Sequence, residues 1–252
     1  MIIVQGAYIA WREVRAIVIG LTGLLLTGLG LRNRWLTALA GITLLWVFSF
    51  FRDPERTPDA HGDNLLLAPA DGRIRKIEVV YEPHFLHAQA RRITIFLSIF
   101  DVHVQRSPCA GEVAALHYQP GSFAPAFLHS ADDNESNLVG LHTGHGPIAV
   151  TQMTGILARR IVCWKKVGDA LAKGERFGLI KFGSRVDLYL PLDAEILVQP
   201  GQQVYGGQTV IGVWGVKKSH KFCVVVGHEW QRDYTSLETS RDHTGRFSSL
   251  AR

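Results

Sequence analysis

A glycine–serine step, Gly183-Ser184, interrupts two stretches that both have the pattern of β-strands. Apolar residues dominate 177–182, and apolar and polar residues alternate over 186–190. Glycine inside a strand marks a bulge or a close backbone approach, and a serine after it carries its hydroxyl near the preceding carbonyl. With a base at hand, that hydroxyl could attack the Gly183 carbonyl and open its own chain. A bulge with a solvent-facing serine is the simpler interpretation of the step taken alone.

Two ionisable side chains elsewhere in the sequence could assist such a serine. Asp71 lies in Ala68-Pro69-Ala70-Asp71-Gly72, where a strand breaks into a turn, and His103 lies in a segment that runs toward Pro108. A serine nucleophile needs a base to take its proton and a further group to orient that base. Considered singly, an aspartate before glycine is typical of turns, and a histidine on a strand is typically a satisfied structural residue.

Short strands separated by glycine and proline must position these groups. From Asn64 onward no long amphipathic helix is predicted, which favours a mainly β domain. The region 120–146 breaks the strand rhythm and is predicted to be one long loop. The predicted strands are 65–68, 73–80, 92–99, 111–118, 148–153, 160–164, 177–182, 186–190, 195–198, 210–213 and 222–226.

A weak internal repeat runs through the second half of this domain. Residues 167–178 and 199–212 share the plan G-x-x-h-x-x-G-x-x-h, in which h is apolar and the glycines suit turns that need a positive φ. The plan is typical of lipoyl- and biotinyl-type sandwiched β-barrels, and we predict that fold. A carrier domain of this class also needs a lysine at a hairpin tip, usually flanked by Met or Ala. No Met-Lys pair occurs, so a carrier function is not favoured.

Two uncharged apolar runs near the N-terminus, 16–31 and 35–51, are separated by Arg32-Asn33-Arg34. Each run would form a helix of about 25 Å, slightly shorter than the ~30 Å hydrocarbon core of a bilayer. The runs predict a hydrophobic α-helical hairpin that anchors the chain in a membrane. A buried hairpin of a soluble core is the alternative. A signal peptide would have one such run and a cleavage site of small residues.

The arginines around the hairpin predict its orientation. More of them lie at its outer ends than in its turn, and positive charge is retained in the cytoplasm, so we place both ends there. A polar linker with two prolines at 52–58 marks the domain boundary. The predicted domains are a membrane-anchoring hairpin at 1–52, the β domain at 53–216 and a C-terminal extension at 217–252. The arginines are Arg12, Arg15, Arg52 and Arg56 at the ends, against Arg32 and Arg34 in the turn.

The net charge of +5 favours an anionic partner, either lipid headgroups or nucleic acid. Three widely spaced cysteines, Cys109, Cys163 and Cys223, form no C-x-x-C pair. This sparse, odd set argues for a reducing compartment and against a zinc site or a disulfide framework.

Five segments carry a family resemblance, and they occur in this order over about residues 50–213: FFRDPERTP, APADGRI, FLSIFDVHVQRSPCAGEV, GERFGLIKFGSRVDLYLP and PGQQVYGGQTVIG. Together they resemble the phosphatidylserine decarboxylase family. The resemblance is strongest to the shorter bacterial branch, which has an N-terminal apolar hairpin. The Gly-Ser motif is highly specific in this context.

The resemblance implies that the chain is a proenzyme that cuts itself between Gly183 and Ser184. Ser184 would become a pyruvoyl group with loss of ammonia, and that group would form a Schiff base with the substrate's amine. His103 would be the base that activates Ser184, and later the donor that protonates the carbanion left by CO₂. Asp71 would orient this base. The resemblance implies no metal and no cofactor beyond the pyruvoyl group.

The resemblance also implies the partners and the location of the protein. The substrate would be phosphatidylserine and the products phosphatidylethanolamine and CO₂. An anionic membrane, rather than nucleic acid, would be the partner. Residues 1–183 and 184–252 would remain together as the two chains of a heterodimer, and homo-oligomerisation is left open. The expected location is the inner cell membrane, with the catalytic domain on its cytoplasmic face.

Two positions depart from the family pattern. Some members have a second histidine three residues after the first, where this chain has Arg106. The loop motif Asn-Glu-Arg-Asn is here Asn134-Glu135-Ser136-Asn137. Two other functions share part of the pattern: a serine hydrolase, which normally has an exposed G-x-S-x-G elbow, and a non-enzymatic membrane-tethered adaptor with a lipoyl-like barrel.

Overall fold

A computed structural model describes the chain in four ranges: 3–122, 133–155, 160–181 and 184–215, apart from the side chains of residues 3–10, Arg12 and Ser184. Gly183, the predicted strand at 222–226 and the predicted extension at 217–252 lie outside the described residues.

Two helices are followed by strands throughout the described part of the chain. The elements are α1 (Ile3–Gly30), α2 (Arg34–Phe50), β1 (Leu65–Leu67), β2 (Gly72–Glu82), β3 (Ala88–Leu97), β4 (Val104–Arg106), β5 (Gly111–Gln119), β6 (Ser136–Thr143), β7 (Gly146–Met153), β8 (Arg160–Cys163), β9 (Ala170–Leu171), β10 (Arg176–Lys181), β11 (Ser184–Leu190), β12 (Glu195–Ile196), β13 (Gln203–Val204) and β14 (Val210–Val213).

The largest sheet has eight strands in the order β13-β2-β3-β11-β7-β6-β5-β9, and it is curled. Its two edge strands, β9 and β13, are equivalent segments of the internal repeat. In each repeat both turn glycines have a positive φ: 92° at Gly168 and 75° at Gly174, and 89° at Gly201 and 72° at Gly207. A Cβ atom on Gly174 would lie 3.8 Å from the Gly207 carbonyl oxygen. The repeat therefore brings the two edges of the curled sheet together.

The core lies on one face of this sheet, and the alternating apolar residues of its strands supply that face. Val186, Leu188 and Leu190 of β11 are fully buried, and their neighbours on β3 include Ile93 and Ile95. Two smaller sheets complete the domain, in the orders β1-β14-β12 and β4-β10-β8. The pairing is antiparallel throughout the sheets described, which suits the short turns between strands.

The helices form a hairpin whose turn is closed by Asn33. Its side-chain oxygen accepts hydrogen bonds from the amides of Trp35 and Leu36 at 3.2 Å, which caps α2. Helix α1 contains an 18-residue stretch, Glu13–Gly30, that is long and apolar enough to cross a membrane. Large apolar side chains are exposed along both helices: Ile17, Ile19, Leu24, Leu26, Leu29, Trp35, Leu39, Ile42, Leu45, Trp46 and Phe48.

The open end of the hairpin packs against the β domain through a second apolar cluster. Here Val14 and Val18 of α1 and Val47 and Phe50 of α2 are buried. Their partners in the β domain are Val102, Val104 and Leu179. We call this contact the base of the hairpin.

The predicted mainly β fold preceded by a helical hairpin is confirmed. Each predicted strand within the described residues is present, most of them with shifted ends, and α1 begins well before the predicted residue 16. The prediction of a single loop over 120–146 is wrong, because Ser136–Thr143 forms strand β6, which pairs with both β5 and β7. The polar residues of β6 hid its pattern in the sequence.

Candidate active site

Three strands of the eight-stranded sheet have their ends close together on one side of it. We call this row of strand ends the site edge, as distinct from the edge strands β9 and β13. Asp71 directly precedes β2, Leu97 ends β3, and Ser184 begins β11. In the antiparallel register Ser184 is opposite Leu97, and Arg73 is opposite Phe96. The register therefore brings two of the three sequence-predicted residues to the same edge. They are far apart in the sequence, and only the strand order unites them.

His103 joins this edge from the segment between β3 and β4. Its carbonyl oxygen accepts a hydrogen bond from the amide of Ile180 at 3.2 Å, and β10, which contains Ile180, is the strand that leads into Gly183-Ser184. The side chain of His103 is fully buried, with the Phe50 ring 4.2 Å from the imidazole centroid. Burial lowers the pKa of His103 from its ordinary 6.5 to about 4. The imidazole is therefore neutral at physiological pH and able to accept a proton.

The tautomer of His103 follows from its backbone neighbour. Nδ1 lies 2.9 Å from the carbonyl oxygen of Asp101, and a carbonyl can only accept a hydrogen bond, so we assign the proton to Nδ1. The lone pair is then on Nε2, which is the nitrogen that can accept a proton. A backbone carbonyl thus orients this ring in the way that a carboxylate does in many triads.

Asp71 is buried and bound on both carboxylate oxygens. Oδ2 accepts a hydrogen bond from Arg56 at 2.7 Å, and Oδ1 accepts one from the amide of Gly206 at 2.8 Å. Burial raises the pKa of the Asp71 carboxyl above its ordinary value, while the Gly206 amide and Arg56 act in the opposite direction. The sequence assigned Arg56 to the polar linker and to the outer ends of the hairpin, without a partner in the β domain. A partner from the linker could not be inferred from spacing alone.

Arg106 stands where some relatives have a second histidine, and in this chain it joins the linker to the β domain. The guanidinium is buried and donates to Asp53 and to the Pro54 carbonyl oxygen, both at 2.9 Å. Arg176 binds the other oxygen of Asp53 at 2.5 Å. One carboxylate shared by two guanidinium groups is a paired, desolvated cluster, so Arg106 has a structural explanation without any catalytic role.

A chain of buried amides leads from the loop motif to His103. The side-chain amide of Asn137 donates to Gln152 at 3.0 Å, Gln152 donates to Gln105 at 2.9 Å, and Gln105 donates to the His103 carbonyl oxygen at 2.8 Å. Each link uses one donor and one acceptor, so the chain crosses from the large sheet to β4 without an unsatisfied step. Sequence reasoning missed Gln105 and Gln152, because no pattern distinguishes a buried glutamine from an exposed one.

Gly178 of β10 has no side chain, and this amide chain occupies the space where one would lie. A Cβ atom at that position would lie 2.5 Å from Nε2 of Gln152 and 2.6 Å from the Val162 carbonyl oxygen. We expect Gly178→Ala to lower the free energy of unfolding by about 1–3 kcal/mol, the usual cost of overpacking. Thermal unfolding in detergent measures this. Gly144→Ala is the matched control, because a Cβ there meets nothing within 4 Å, and an equal loss in both variants would contradict the assignment.

The first residues of the motif Asn134-Glu135-Ser136-Asn137 make internal contacts. Asn134 is fully buried and donates to the Thr154 carbonyl oxygen at 2.9 Å. Glu135 accepts a hydrogen bond from the Tyr118 hydroxyl at 3.0 Å. These contacts fix the start of β6 next to the end of β7. Within the described ranges, no group of three or more His, Cys, Asp or Glu side chains is arranged to hold a metal ion.

Comparison with known proteins agrees with the geometry. A family model described as phosphatidylserine decarboxylase matches residues 44–212. The phosphatidylserine decarboxylase proenzyme of Symbiobacterium thermophilum is 51% identical over 176 residues, which are 69% of this chain and 81% of that protein. The proenzyme of Carboxydothermus hydrogenoformans is 47% identical over 191 residues, 74% and 89% of the two chains. That of Saccharopolyspora erythraea is 46% identical over 188 residues, 72% and 79% of the two chains.

Proposed function

The chain belongs to the phosphatidylserine decarboxylase family of enzymes, and we propose that it is a proenzyme that cuts itself between Gly183 and Ser184 and then converts phosphatidylserine to phosphatidylethanolamine and CO₂. One observation carries the residue assignment. The strand register brings Asp71, the backbone of Ser184 and the neutral base His103 to one edge of the sheet.

The proposed cut needs only groups of this chain and water. Nε2 of His103 takes the hydroxyl proton of Ser184 as the serine oxygen bonds to the Gly183 carbonyl carbon, and the amide becomes an ester. Loss of the serine α-proton then breaks the bond between Cβ and oxygen, and Gly183 departs as a carboxylate. Water finally releases the nitrogen as ammonia and leaves a pyruvoyl group on the downstream chain. In the structure the Asp101 carbonyl oxygen orients the His103 ring and Asp71 binds Arg56 and the Gly206 amide, so we propose that Asp71 assists indirectly from the same edge.

The pyruvoyl group supplies a carbonyl that condenses with the substrate's amine and accepts the electrons left by departing CO₂. The other tasks belong to residues of the chain. His103 takes up a proton at Nε2 during the reaction and gives it to the carbon that has lost CO₂. Phe50, which packs against the ring at a tilt of 32°, keeps water away from the imidazole. A pyruvoyl group made from residue 184 would lie at the start of β11, because that strand begins at residue 184.

Strand pairing explains how the two fragments would stay together. Strand β11 lies between β3 and β7 and pairs with both over most of its length. Both neighbours belong to residues 1–183, and β11 belongs to residues 184–252. The downstream fragment is therefore bound on two sides through backbone hydrogen bonds and through a shared core. This supports the proposal of a heterodimer of two chains from one proenzyme.

A denaturing gel with intact mass analysis of the purified protein tests this function. We expect two chains, and the smaller should have the mass expected for residues 184–252 once Ser184 has become a pyruvoyl group. A single chain of full length would contradict the proposal and favour the serine hydrolase or the adaptor. A smaller fragment that keeps its nitrogen at residue 184 would show cutting without formation of the pyruvoyl group.

We propose that the hairpin attaches the enzyme to the cytoplasmic face of the inner cell membrane. The apolar α1 and the exposed apolar side chains of both helices support attachment, and the arginines at the outer ends support the side. High salt is expected to leave the protein in the membrane fraction, whereas detergent should extract it, because apolar burial is not screened by ions. Sedimentation followed by immunoblotting measures both. Release by salt alone would show that only surface charge holds the protein.

A further inference from the structure

A short turn next to His103 displays two apolar side chains to solvent. Ile99 and Phe100 lie in the segment between β3 and β4, and Phe100 is 72% exposed. The turn is held by its neighbour Asp101, whose Oδ2 accepts hydrogen bonds from the amide and the hydroxyl of Ser98 at 2.8 Å and 2.7 Å. The Asp101 amide in turn donates to the Ser98 carbonyl oxygen at 3.0 Å. The aromatic ring is thus presented on a fixed support.

The turn lies at the base of the hairpin. Arg52, just beyond α2, donates to the Phe100 carbonyl oxygen at 2.5 Å and to that of Ser49 at 2.7 Å. Val102, two residues after Phe100, is part of the apolar cluster at the base. The turn is therefore tied both to the end of α2 and to the β domain.

The apolar surface of the helices extends down to this base. Phe48 is half exposed only two residues before the buried Phe50. A helix of 17 residues is roughly 25 Å long, which is less than the ~30 Å hydrocarbon core of a bilayer. A short hairpin leaves no slack between the domain and the lipid, so immersing it brings the base to the membrane surface.

We infer that Ile99 and Phe100 insert into the lipid bilayer beside the hairpin and hold the site edge at the level of the headgroups. The occupant of this surface is the boundary between headgroups and acyl chains, where aromatic side chains are favoured. The inference deepens the proposed function and rests on it for the choice of lipid. His103 follows Phe100 by three residues, so insertion of the turn would place the imidazole near the serine headgroup of a lipid that remains in the membrane.

Photocrosslinking tests the insertion without reference to activity. The full chain is made with Phe100→p-benzoylphenylalanine and reconstituted in phosphatidylcholine–phosphatidylglycerol vesicles that carry a phospholipid radiolabelled in its acyl chain. We expect strong labelling of the protein on irradiation. The control is Leu192→p-benzoylphenylalanine, because Leu192 is also exposed but follows the far end of β11, roughly 20 Å along the strand from Ser184. Equal labelling at the two positions would overturn the inference.

A comparison of two substrates tests the consequence of this insertion for turnover. Phe100→Ser should lower turnover of long-chain phosphatidylserine in vesicles severalfold, and turnover of a short-chain, water-soluble phosphatidylserine should be unchanged. Leu192→Ser should change neither. A normal two-chain pattern on a denaturing gel confirms that the variants fold. Equal loss on both substrates would overturn the inference, because Phe100 would then act in the reaction itself. Strong crosslinking from position 100, together with a wild-type protein that turns over neither substrate, would contradict the proposed function and leave the insertion supported.

Discussion

Replacing Ser184 by alanine is expected to leave the chain uncut and without decarboxylase activity. Alanine has no oxygen to attack the Gly183 carbonyl, and it cannot give rise to the carbonyl on which decarboxylation depends. The expected effect is a complete loss, larger than that of any other substitution considered for this protein. A denaturing gel measures the cut, and release of CO₂ from carboxyl-labelled phosphatidylserine measures the activity.

The control for this variant is Ser236→Ala, which lies beyond the matched region 44–212 and should mature normally. A Ser184→Ala protein that still yields fragments 1–183 and 184–252 would exclude the proposed mechanism. One that is uncut but fully active would separate decarboxylation from processing and remove the pyruvoyl group from the proposal.

Replacing His103 by alanine is expected to leave mostly uncut proenzyme, because an unassisted serine hydroxyl is a weak nucleophile. Asp71→Asn should cut more slowly by ~10²–10⁴-fold, the range found when an acid–base partner is lost. The time course of cutting after synthesis, followed on gels, measures both. His61→Ala is the control, since His61 is exposed between the linker and β1. Normal cutting by His103→Ala would transfer the role of base to another group.

The pH dependence of cutting provides an independent check on His103. Only the neutral imidazole accepts a proton, and burial lowers its pKa to about 4. The rate should therefore stay level as the pH falls from neutrality and should decline only near pH 4. A decline centred near the ordinary 6.5 would show that the imidazole is accessible to water when it acts.

A second test of His103 uses enzyme that has already matured, so that only decarboxylation is measured. If His103 protonates the carbon that loses CO₂, chemical modification of its ring should stop turnover, whereas borohydride should still trap the bound substrate amine. Full turnover after verified modification would limit His103 to processing. The lowered pKa requires that the proton reach Nε2 within the reaction, because the resting imidazole does not hold a second proton at neutral pH.

Sequence patterns predicted those parts of the structure that depend on local alternation. The alternating Val186, Leu188 and Leu190 identified β11, and the repeated glycines at 168 and 201 have the positive φ that the predicted turns need. Strand β6 was missed because Gly140 and the polar residues of this strand break the alternation of apolar and polar residues. Gly140 is needed there, since a Cβ atom would lie 2.6 Å from the Phe85 ring. That constraint comes from a distant loop, which a local window does not contain.

The candidate site residues were predicted from their side-chain types, whereas the contacts that hold them in place could not be predicted. Asp101 orients His103 through a backbone carbonyl, and every residue type has one. Arg56 donates a hydrogen bond to Asp71 from the linker, and the Gln105 side chain donates one to the carbonyl oxygen of His103. These contacts depend on the packing of segments that are remote in sequence. Such packing leaves no recognisable pattern in the spacing of residues along a single sequence.

The central position of β11 affects how readily the protein can refold before and after the proposed cut. In the proenzyme, β10 and β11 are joined by two residues, so each strand experiences a very high effective concentration of the other. The proposed cut would abolish that advantage while the strand is already enclosed by β3 and β7. A cut molecule that unfolds would have to reassemble from two separate pieces. Its lifetime would then be governed by the barrier to unfolding rather than by an equilibrium between folded and unfolded states.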